Sequence, residues 1–289
     1  MTKPERSSDE PAPEAGPRDI LGLMLSLRDR RQPFALATVV ETAGSVSAKT
    51  GGKALIGADG RVLAGWVGGG CAEASVCHAA LDAMKSGETT IIGLDLDDEV
   101  LGTGMPCGGS MRVYVEPVLP KPRLWILGHG QVAESLCAIG AIMDLEVVVD
   151  DPMADRARYP AASLLLTDDV MYDALAPGPD DYVVIATQHK GDHESMKRCL
   201  GSPVRYIALI ASRKRSKLVL DYVRKEGFGE DELARIYAPA GLDFHARTPG
   251  EIALSTLGEI VMLRRGGTGA HRREAIRAKE PRRMVEAPA

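Results

Sequence analysis

Hydrophobic residues in the first half of the chain follow two different periods. Residues 20, 21, 24, 25 and 27 form an apolar stripe with helical spacing, which predicts a short amphipathic helix. Residues 34–40, 53–56, 61–67, 89–94 and 111–115 are typical of strands, and Ala58-Asp59-Gly60 predicts a hairpin turn. A second helix is expected over 72–85, closed by Ser86-Gly87. These elements predict an α+β domain that starts as a β-meander.

The apolar pattern of the second half is that of a parallel sheet. Prolines at 117, 120 and 122 interrupt the chain, and the boundary is expected near Pro120. Strands are predicted over 123–127, 146–149, 163–166, 181–186 and 204–210, separated by helical stretches. Thr248-Pro249-Gly250-Glu251 predicts the start of a last helix that runs to residue 265. We therefore expect a Rossmann-like doubly wound domain.

The predicted organisation is an α/β chain of two domains. At 289 residues the chain is long enough for two hydrophobic cores, and its 45% hydrophobic and 26% charged residues are typical of a globular protein. We expect a disordered leader over 1–17, an α+β domain over 18–119, a Rossmann-like domain over 120–267 and a charged tail over 268–289.

Charge and cysteine usage narrow the class of protein. A formal charge of −5 argues against a general nucleic-acid or anionic-membrane binder. Five cysteines without a CxxC pair indicate a reduced, intracellular protein. The first seventeen residues lack the apolar region of a secretory signal, and no apolar run is long enough to span a membrane. These observations predict a cytoplasmic location.

The strongest motif for ligand binding follows the first strand of the second half. A glycine-rich turn there opens a predicted helix, and Asp150 and Asp151 follow at the end of the next strand. This context is typical of a dinucleotide fingerprint, in which the turn and helix start bind phosphate and an acidic residue accepts hydrogen bonds from a ribose. The alternative is a structural turn without a ligand. The candidate residues of the turn are Gly128, His129, Gly130, Gln131 and Val132.

Other candidates follow the later strands of the parallel sheet. His189 and His193 follow the fourth strand, where doubly wound sheets bind ligands. Arg213 and Lys214 follow the fifth strand and are suited to phosphate. The alternatives are a capped loop end and a solvated basic turn. His129 is likewise either a phosphate contact or a solvated turn residue.

Two of the five cysteines lie among glycines. Cys107 follows Gly104-Met105-Pro106 and precedes two glycines, and Cys71 follows three glycines just before a predicted helix. Backbone N–H groups and a helix start lower the pKa of a thiol, so both are candidate nucleophiles or soft-metal ligands. The alternative is an inert thiol. Three others, Cys77, Cys137 and Cys199, lie within apolar helical patterns and are expected in cores.

Taken together, the motifs resemble the XdhC/CoxI family of accessory proteins for molybdenum hydroxylases, over residues 20 to 265. Each motif is common alone, but their order is specific. They are Ala-Gly-Ser at 43–45, Gly-Gly-Gly-Cys-Ala-Glu at 68–73, Cys-Gly-Gly at 107–109 with Glu116-Pro117, Leu-Gly-His-Gly-Gln-Val-Ala at 127–133, Ser-Arg-Lys at 212–214, Gly-Leu-Asp at 241–243 and Thr-Pro-Gly-Glu-Ile-Ala at 248–253.

The resemblance implies a function in cofactor maturation. Family members are thought to bind the molybdenum cofactor, promote its sulfuration with a cysteine desulfurase and hand it to an apo-hydroxylase, commonly as homodimers. The cysteine that corresponds to Cys107 is the one associated with the cofactor. The Gly-Gly-Cys context of Cys71 resembles the CoxI-like and CoxF-like branch, linked to carbon monoxide dehydrogenase. Two departures concern ligand contacts: residues 46–49 replace a usual Pro-Arg, and Ala211 replaces a glycine.

Three functions remain open from the sequence. In the leading one, the chain holds a molybdopterin-type cofactor between its domains, with Cys107 and Cys71 near the metal and Gly128 and Gly130 near the phosphate. Metal completion or sulfuration of the cofactor is part of this hypothesis. The second is a redox protein that binds FAD or NAD and reduces a metal or sulfur species during active-site assembly. The third is an adaptor that binds the target apo-enzyme without carrying cofactor.

Overall fold

The computed structural model describes residues 19–95, 109–187 and 191–273. The chain divides into two compact units, of which the first ends at Pro120 and the second begins at Lys121. The predicted leader and positions 274–289 of the predicted tail lie outside the described residues. In the part that is described, no helix is long and apolar enough to cross a bilayer.

The first unit is an antiparallel sheet with a helix on each face. Its strands lie in the order β3-β2-β1-β5-β4. Side chains alternate along β1, so Ala35, Ala37 and Val39 join the core under α2, whereas Phe34 joins the core under α1. The elements are α1 (Ile20–Asp29), β1 (Phe34–Gly44), β2 (Lys53–Gly57), β3 (Val62–Gly65), α2 (Cys71–Ser86), β4 (Thr90–Asp95) and β5 (Gly109–Val118).

The second unit is a six-stranded parallel sheet in the order β11-β10-β9-β6-β7-β8. This is the doubly wound Rossmann order, and the predicted fold class is confirmed. Its elements are β6 (Arg123–Gly128), α3 (Gln131–Ile142), β7 (Glu146–Asp150), β8 (Leu164–Leu166), β9 (Tyr182–Ala186), α4 (Asp192–Leu200), β10 (Tyr206–Leu209), α5 (Arg213–Lys225), α6 (Glu230–Leu233), β11 (Ile236–Tyr237) and α7 (Pro249–Arg265).

Two cores cover the faces of the parallel sheet. Leu124 and Ile126 of β6 pack with α3 and α7 on one face, and Trp125 and Leu127 pack with α4 and α5 on the other. The chain runs from β6 to β7 on one side of β6 and later returns from β8 to β9 on its other side, so the order of the strands reverses at β6. This switch opens a crevice at the carboxyl ends of β6 and β9, where such sheets bind ligands.

The prediction of a helix is wrong for two of the connections between strands. Residues 151–163 and 167–181 contain turns and no helix. The Asp155 carboxylate accepts the backbone N–H groups of Ala157 and Arg158, and Asp169 accepts those of Asp173 and Ala174. Such local hydrogen bonds compete with helix formation, and prolines in both segments disfavour it. The two-residue strand β11 was not predicted, because it is too short for a periodic pattern.

Candidate functional site

The glycine-rich turn after β6 has a backbone that requires glycine. Gly128 ends β6 with φ +124°, and Gly130 is the N-cap of α3 with φ +97°. A Cβ on Gly128 would overlap the carbonyl oxygen of Ala186 in β9. Gln131 and Val132 begin α3. Among the described residues, no side chain caps this helix start. The N–H groups of these two residues have no acceptor within the helix and can bind an anion.

A cleft of about 660 Å³ opens at this turn. Residues 129–132 line one part, and Pro249, the first residue of α7, lines another. Arg158 adds a permanent positive charge to the lining and forms an ion pair with Glu134 of α3. A second cleft of about 500 Å³ shares Gln131, Arg158 and Pro249. Two helix starts and an arginine therefore border a space that fits a phosphate-bearing ligand.

The His129 side chain contacts Asp151, the residue that follows β7. Its Nδ1 atom lies 3.0 Å from Oδ1 of Asp151, and its side chain is 27% exposed. The same Asp151 oxygen accepts the backbone N–H of Met153 at 2.7 Å. His129 thus lines the cleft from a fixed position, and Asp151 already has partners for one oxygen.

Asp150 differs from its neighbour Asp151 in burial and in hydrogen bonding. It ends β7 beside Leu127 of β6, its side chain is fully buried, and neither carboxylate oxygen has a hydrogen-bond donor among the described residues. Burial, followed by the nearby charges of Asp169 and Asp151 and a side-chain hydrogen bond with Asp169, raises the pKa of Asp150 to about 7. A buried carboxyl group is costly to ionise, so Asp150 retains a proton near neutral pH that it can donate to Asp169.

Arg213 is the exposed first residue of α5, which Ser212 caps by accepting the N–H of Arg215. It follows β10 and so belongs to the same edge of the sheet. The neighbouring Arg215 has a different role, because its Nε donates to the buried Asp192 at 2.8 Å. The Thr187 hydroxyl also donates to Asp192. This buried network joins the end of β9 to the starts of α4 and α5.

The two histidines after β9 do not form a described pair. His189 lies outside the described residues. The ring of His193 packs edge-on against Tyr222 of α5, with ring centroids 4.6 Å apart. The structure therefore gives His193 an aromatic partner and leaves the ligand role of His189 a prediction.

The glycine-flanked cysteines belong to the first unit. Cys71 is the first residue of α2, and Gly70 before it has φ +59° and supplies no side-chain cap. Cys107 lies outside the described residues. Their roles as nucleophiles or metal ligands stay predictions. In the portion of the chain that the structure describes, no group of three or more histidine, cysteine or acidic side chains could hold a metal ion.

The other three cysteines have the environment that the sequence predicts. Cys137 and Cys199 are buried in the two cores of the parallel sheet, and Cys77 of α2 packs, partly buried, against the core of the first unit. Burial is the main cause that raises the pKa of each thiol, which keeps it protonated and unreactive at neutral pH.

Known protein families match most of both units. Residues 27–95 match the XdhC and CoxI family, and residues 124–260 match the XdhC Rossmann domain. The chain belongs to the XdhC and CoxI family. The second match covers the glycine-rich turn, Asp150 and the start of α7, so the cleft described above lies within the family's Rossmann domain.

Curated relatives of this family member carry three different names. The uncharacterized protein YqeB of Escherichia coli is 30% identical over 250 residues, which are 84% of this chain and 46% of YqeB. A Bacillus subtilis protein, named as a probable xanthine dehydrogenase subunit, is 28% identical over 54% of this chain and 47% of its own length. The chain therefore spans about half the length of these two relatives.

A third relative is matched over most of its length. The molybdenum cofactor insertion chaperone PaoD of Escherichia coli is 24% identical over 79% of this chain and 83% of PaoD. Among solved structures, a xanthine dehydrogenase from Bacillus halodurans is 21% identical, with a TM-score of 0.45 over 89% of this chain and 99% of that one.

The sequence does not predict two residues that lie in or next to the cleft. Tyr159 is fully buried, and its hydroxyl accepts the N–H of Gly130 at 3.1 Å. Arg158 lines both clefts. Both lie in the irregular segment after β7, where no periodic pattern marks a side chain as inward or outward. A tyrosine that follows the turn by 29 residues gives no local signal of its contact.

Removal of the Tyr159 hydroxyl is expected to destabilise the second unit. Tyr159→Phe leaves the Gly130 N–H buried without an acceptor, which costs about 1 to 3 kcal/mol of unfolding free energy. Urea denaturation measures this loss. Tyr182→Phe is the matched control, because the described residues give the Tyr182 hydroxyl no hydrogen bond, and it should change stability less. Equal losses in the two variants would contradict the role of Tyr159.

Proposed function

We propose that this chain is a maturation factor that binds the molybdenum cofactor as cargo and inserts it into an apo molybdenum hydroxylase. The observation that carries the proposal is the match of both units to the XdhC and CoxI family, together with the coverage of PaoD. A cysteine desulfurase as partner and assembly as a homodimer belong to the same proposal and rest on the resemblance of the motifs.

The second unit supports the binding part of the proposal. The turn at 128–132, the uncapped start of α3 and Arg158 fit a phosphate group, which molybdopterin carries at one end. In this proposal the N–H groups of Gln131 and Val132 bind that phosphate, and Arg158 turns from Glu134 towards it. That the thiols of Cys107 and Cys71 bind molybdenum is a separate part of the proposal, and it rests on the resemblance of the motifs.

The Rossmann order favours a second candidate function. The strand order, the glycine turn and an acidic residue at the end of β7 are also the features that bind FAD or NAD. A redox function at this edge would therefore use a bound flavin or nicotinamide. The absorbance spectrum of the purified chain identifies a bound flavin, since flavin absorbs visible light.

Purification from cells that make the molybdenum cofactor tests the proposed function. We expect molybdenum by elemental analysis, pterin fluorescence after denaturation, and activation of an added apo-hydroxylase. Cys107→Ser should weaken the affinity for molybdenum at least about tenfold, equivalent to about 1.4 kcal/mol, because a serine hydroxyl is a poorer ligand than a thiolate for a soft metal. Cys77→Ser is the control, since this thiol packs against the first core, and it should bind molybdenum as the unmodified chain does.

The outcomes distinguish the functions. A preparation without pterin or molybdenum, but with a flavin spectrum, would support the redox candidate and overturn the proposed cargo. Activation of the hydroxylase by a Cys107→Ser chain that carries full molybdenum would remove the cysteine from the proposal. Activation without any bound cofactor would support an adaptor function.

A further inference from the structure

The edge strand β4 of the first unit is open to another strand. Among the described residues it pairs with β5 on one side and has no strand on its outer side. Residues 90–94 contain neither a charged side chain nor a proline, and their register with β5 is regular. Edge strands are usually protected by charge, proline, a bulge or shortness, because their outer N–H and C=O groups bind other strands. Residues 90–94 have none of the first three protections.

The other edge strands in the described part of the chain are short. β3, at the opposite edge of the same sheet, has four residues and a register shift against β2. β8 and β11, at the edges of the parallel sheet, have three and two residues. β4 has six residues and spans about 20 Å. Strand addition is therefore most favourable at β4.

Both faces of β4 leave apolar groups uncovered at this edge. On the face of α2, Ile92 and Leu94 pack against the core but are only half-buried. On the opposite face, Ile91 is 51% exposed, and a Cβ on Gly93 would meet no atom within 4 Å. A strand added to this edge would cover Ile92 and Leu94, and the space over Gly93 would accept a large side chain.

We propose that β4 pairs antiparallel with β4 of a second copy of this chain, about a two-fold axis at Ile92. This pairing joins the two five-stranded sheets into one continuous sheet. Because the other edge strands of the described residues are short, a two-fold pairing at β4 closes the assembly at two copies. The inference rests on the homodimer that belongs to the proposed function, and it names the surface that forms it.

The side chains of β4 are complementary to themselves in this register. Ile92 lies opposite Ile92 of the second copy, on the face that carries the core under α2. Thr90 lies opposite Leu94 on the same face. On the other face, the exposed Ile91 lies opposite Gly93, where a large side chain has space. Each pair of residues 90–94 is therefore uncharged, and the half-buried apolar groups cover one another.

The charge of Asp95 distinguishes this register from its neighbour. Directly opposite residues must lie on the same face of the sheet, so the axis passes through a residue of β4 rather than between two residues. An axis at Ile92 places Asp95 opposite Thr89, and no like charges meet. An axis at Gly93 would place the Asp95 carboxylate opposite Ile91 instead. The first register is favoured because it leaves no charge against an apolar side chain.

Analytical ultracentrifugation of the full chain tests the inference without reference to hydroxylase activation. Pairing of six-residue strands buries on the order of 1,000 Å² over both copies, which is at the low end of specific interfaces. We therefore expect a dimer that dissociates on dilution between about 100 µM and about 1 µM. The same measurement on preparations with and without bound molybdenum separates assembly from cargo.

Substitutions at Ile92 test the position of the axis. Ile92→Lys should weaken dimerisation at least about tenfold, because two lysines meet at the axis. Ile92→Glu should do the same, and an equimolar mixture of the two variants should dimerise again, since opposite charges then meet. Val62→Lys is the matched control, because Val62 is half-buried against the same core in the opposite edge strand β3. It should dimerise as the unmodified chain does.

Oxidation of single cysteine variants tests the register. Ile92→Cys should form an interchain disulfide beyond any that the unmodified chain forms, because directly opposite Cα atoms lie about 4.5 to 5.5 Å apart. Leu94→Cys is the control on the same face. Its two copies are offset by about 13 Å along the strands and should not be linked.

The outcomes separate the inference from the proposed function. A dimer that persists in Ile92→Lys and Ile92→Glu, no recovery in their mixture, or no disulfide in Ile92→Cys would each overturn the pairing at β4. A chain that is monomeric at about 100 µM but carries molybdenum would overturn the pairing and the homodimer and leave the proposed cargo intact. A β4-paired dimer without pterin or molybdenum would contradict the proposed cargo alone.

Discussion

Replacement of Gly128 by alanine is expected to destabilise the second unit by about 3 to 5 kcal/mol. The φ of +124° is unfavourable for any residue with a side chain. The new Cβ would also overlap the Ala186 carbonyl and lie 2.8 Å from the Thr187 nitrogen, so β6 and β9 must separate at the crevice. The free energy of unfolding in urea and the protection of β6 amide protons from exchange both measure the effect.

Gly51→Ala separates backbone strain from the overlap. Gly51 lies in the first unit with φ +88°, and a Cβ there would meet no atom within 4 Å. Its substitution should therefore cost only the strain, about 1 to 2 kcal/mol. If Gly128→Ala costs no more than Gly51→Ala, the close approach of β6 to β9 is not what requires glycine at the turn.

The fold could be predicted from the sequence where periodic patterns are long. The apolar runs at 123–127 and 181–186 fix buried parallel strands, because both faces of such strands meet a core. The segments at 151–163 and 167–181 could not be predicted, since Asp155 and Asp169 organise them through local hydrogen bonds. A residue pattern does not say whether an aspartate caps a turn or lies in a helix.

The part of the candidate site that depends on backbone conformation could be predicted from the sequence. Gly128 and Gly130 follow from the turn that a dinucleotide fingerprint needs, and the structure brings Asp150 and Asp151 to the same edge. The sequence could not tell the two aspartates apart. Only the fold pairs Asp151 with His129 and buries Asp150 without a donor among the described residues. That difference depends on tertiary neighbours far along the chain.

A second large effect is expected from Asp150→Asn, which should stabilise the protein at alkaline pH. The pKa of Asp150 is raised to about 7 in the folded chain, from an ordinary value of about 4. The folded state therefore holds a proton that the unfolded state has released between these values, so stability is full below pH 4 and falls as the pH rises to 7. The loss amounts to about 4 kcal/mol. An amide at this position cannot ionise and can donate to Asp169.

The unfolding free energies of the unmodified chain and Asp150→Asn, measured from pH 5 to pH 8, check this expectation. Their difference should grow by about 2 to 3 kcal/mol in favour of the variant over that range. Asp168→Asn removes an exposed carboxylate one residue from Asp169 and should give a difference that hardly changes with pH. A parallel pH dependence of Asp150→Asn and the unmodified chain would mean that the Asp150 carboxyl is ionised at pH 5.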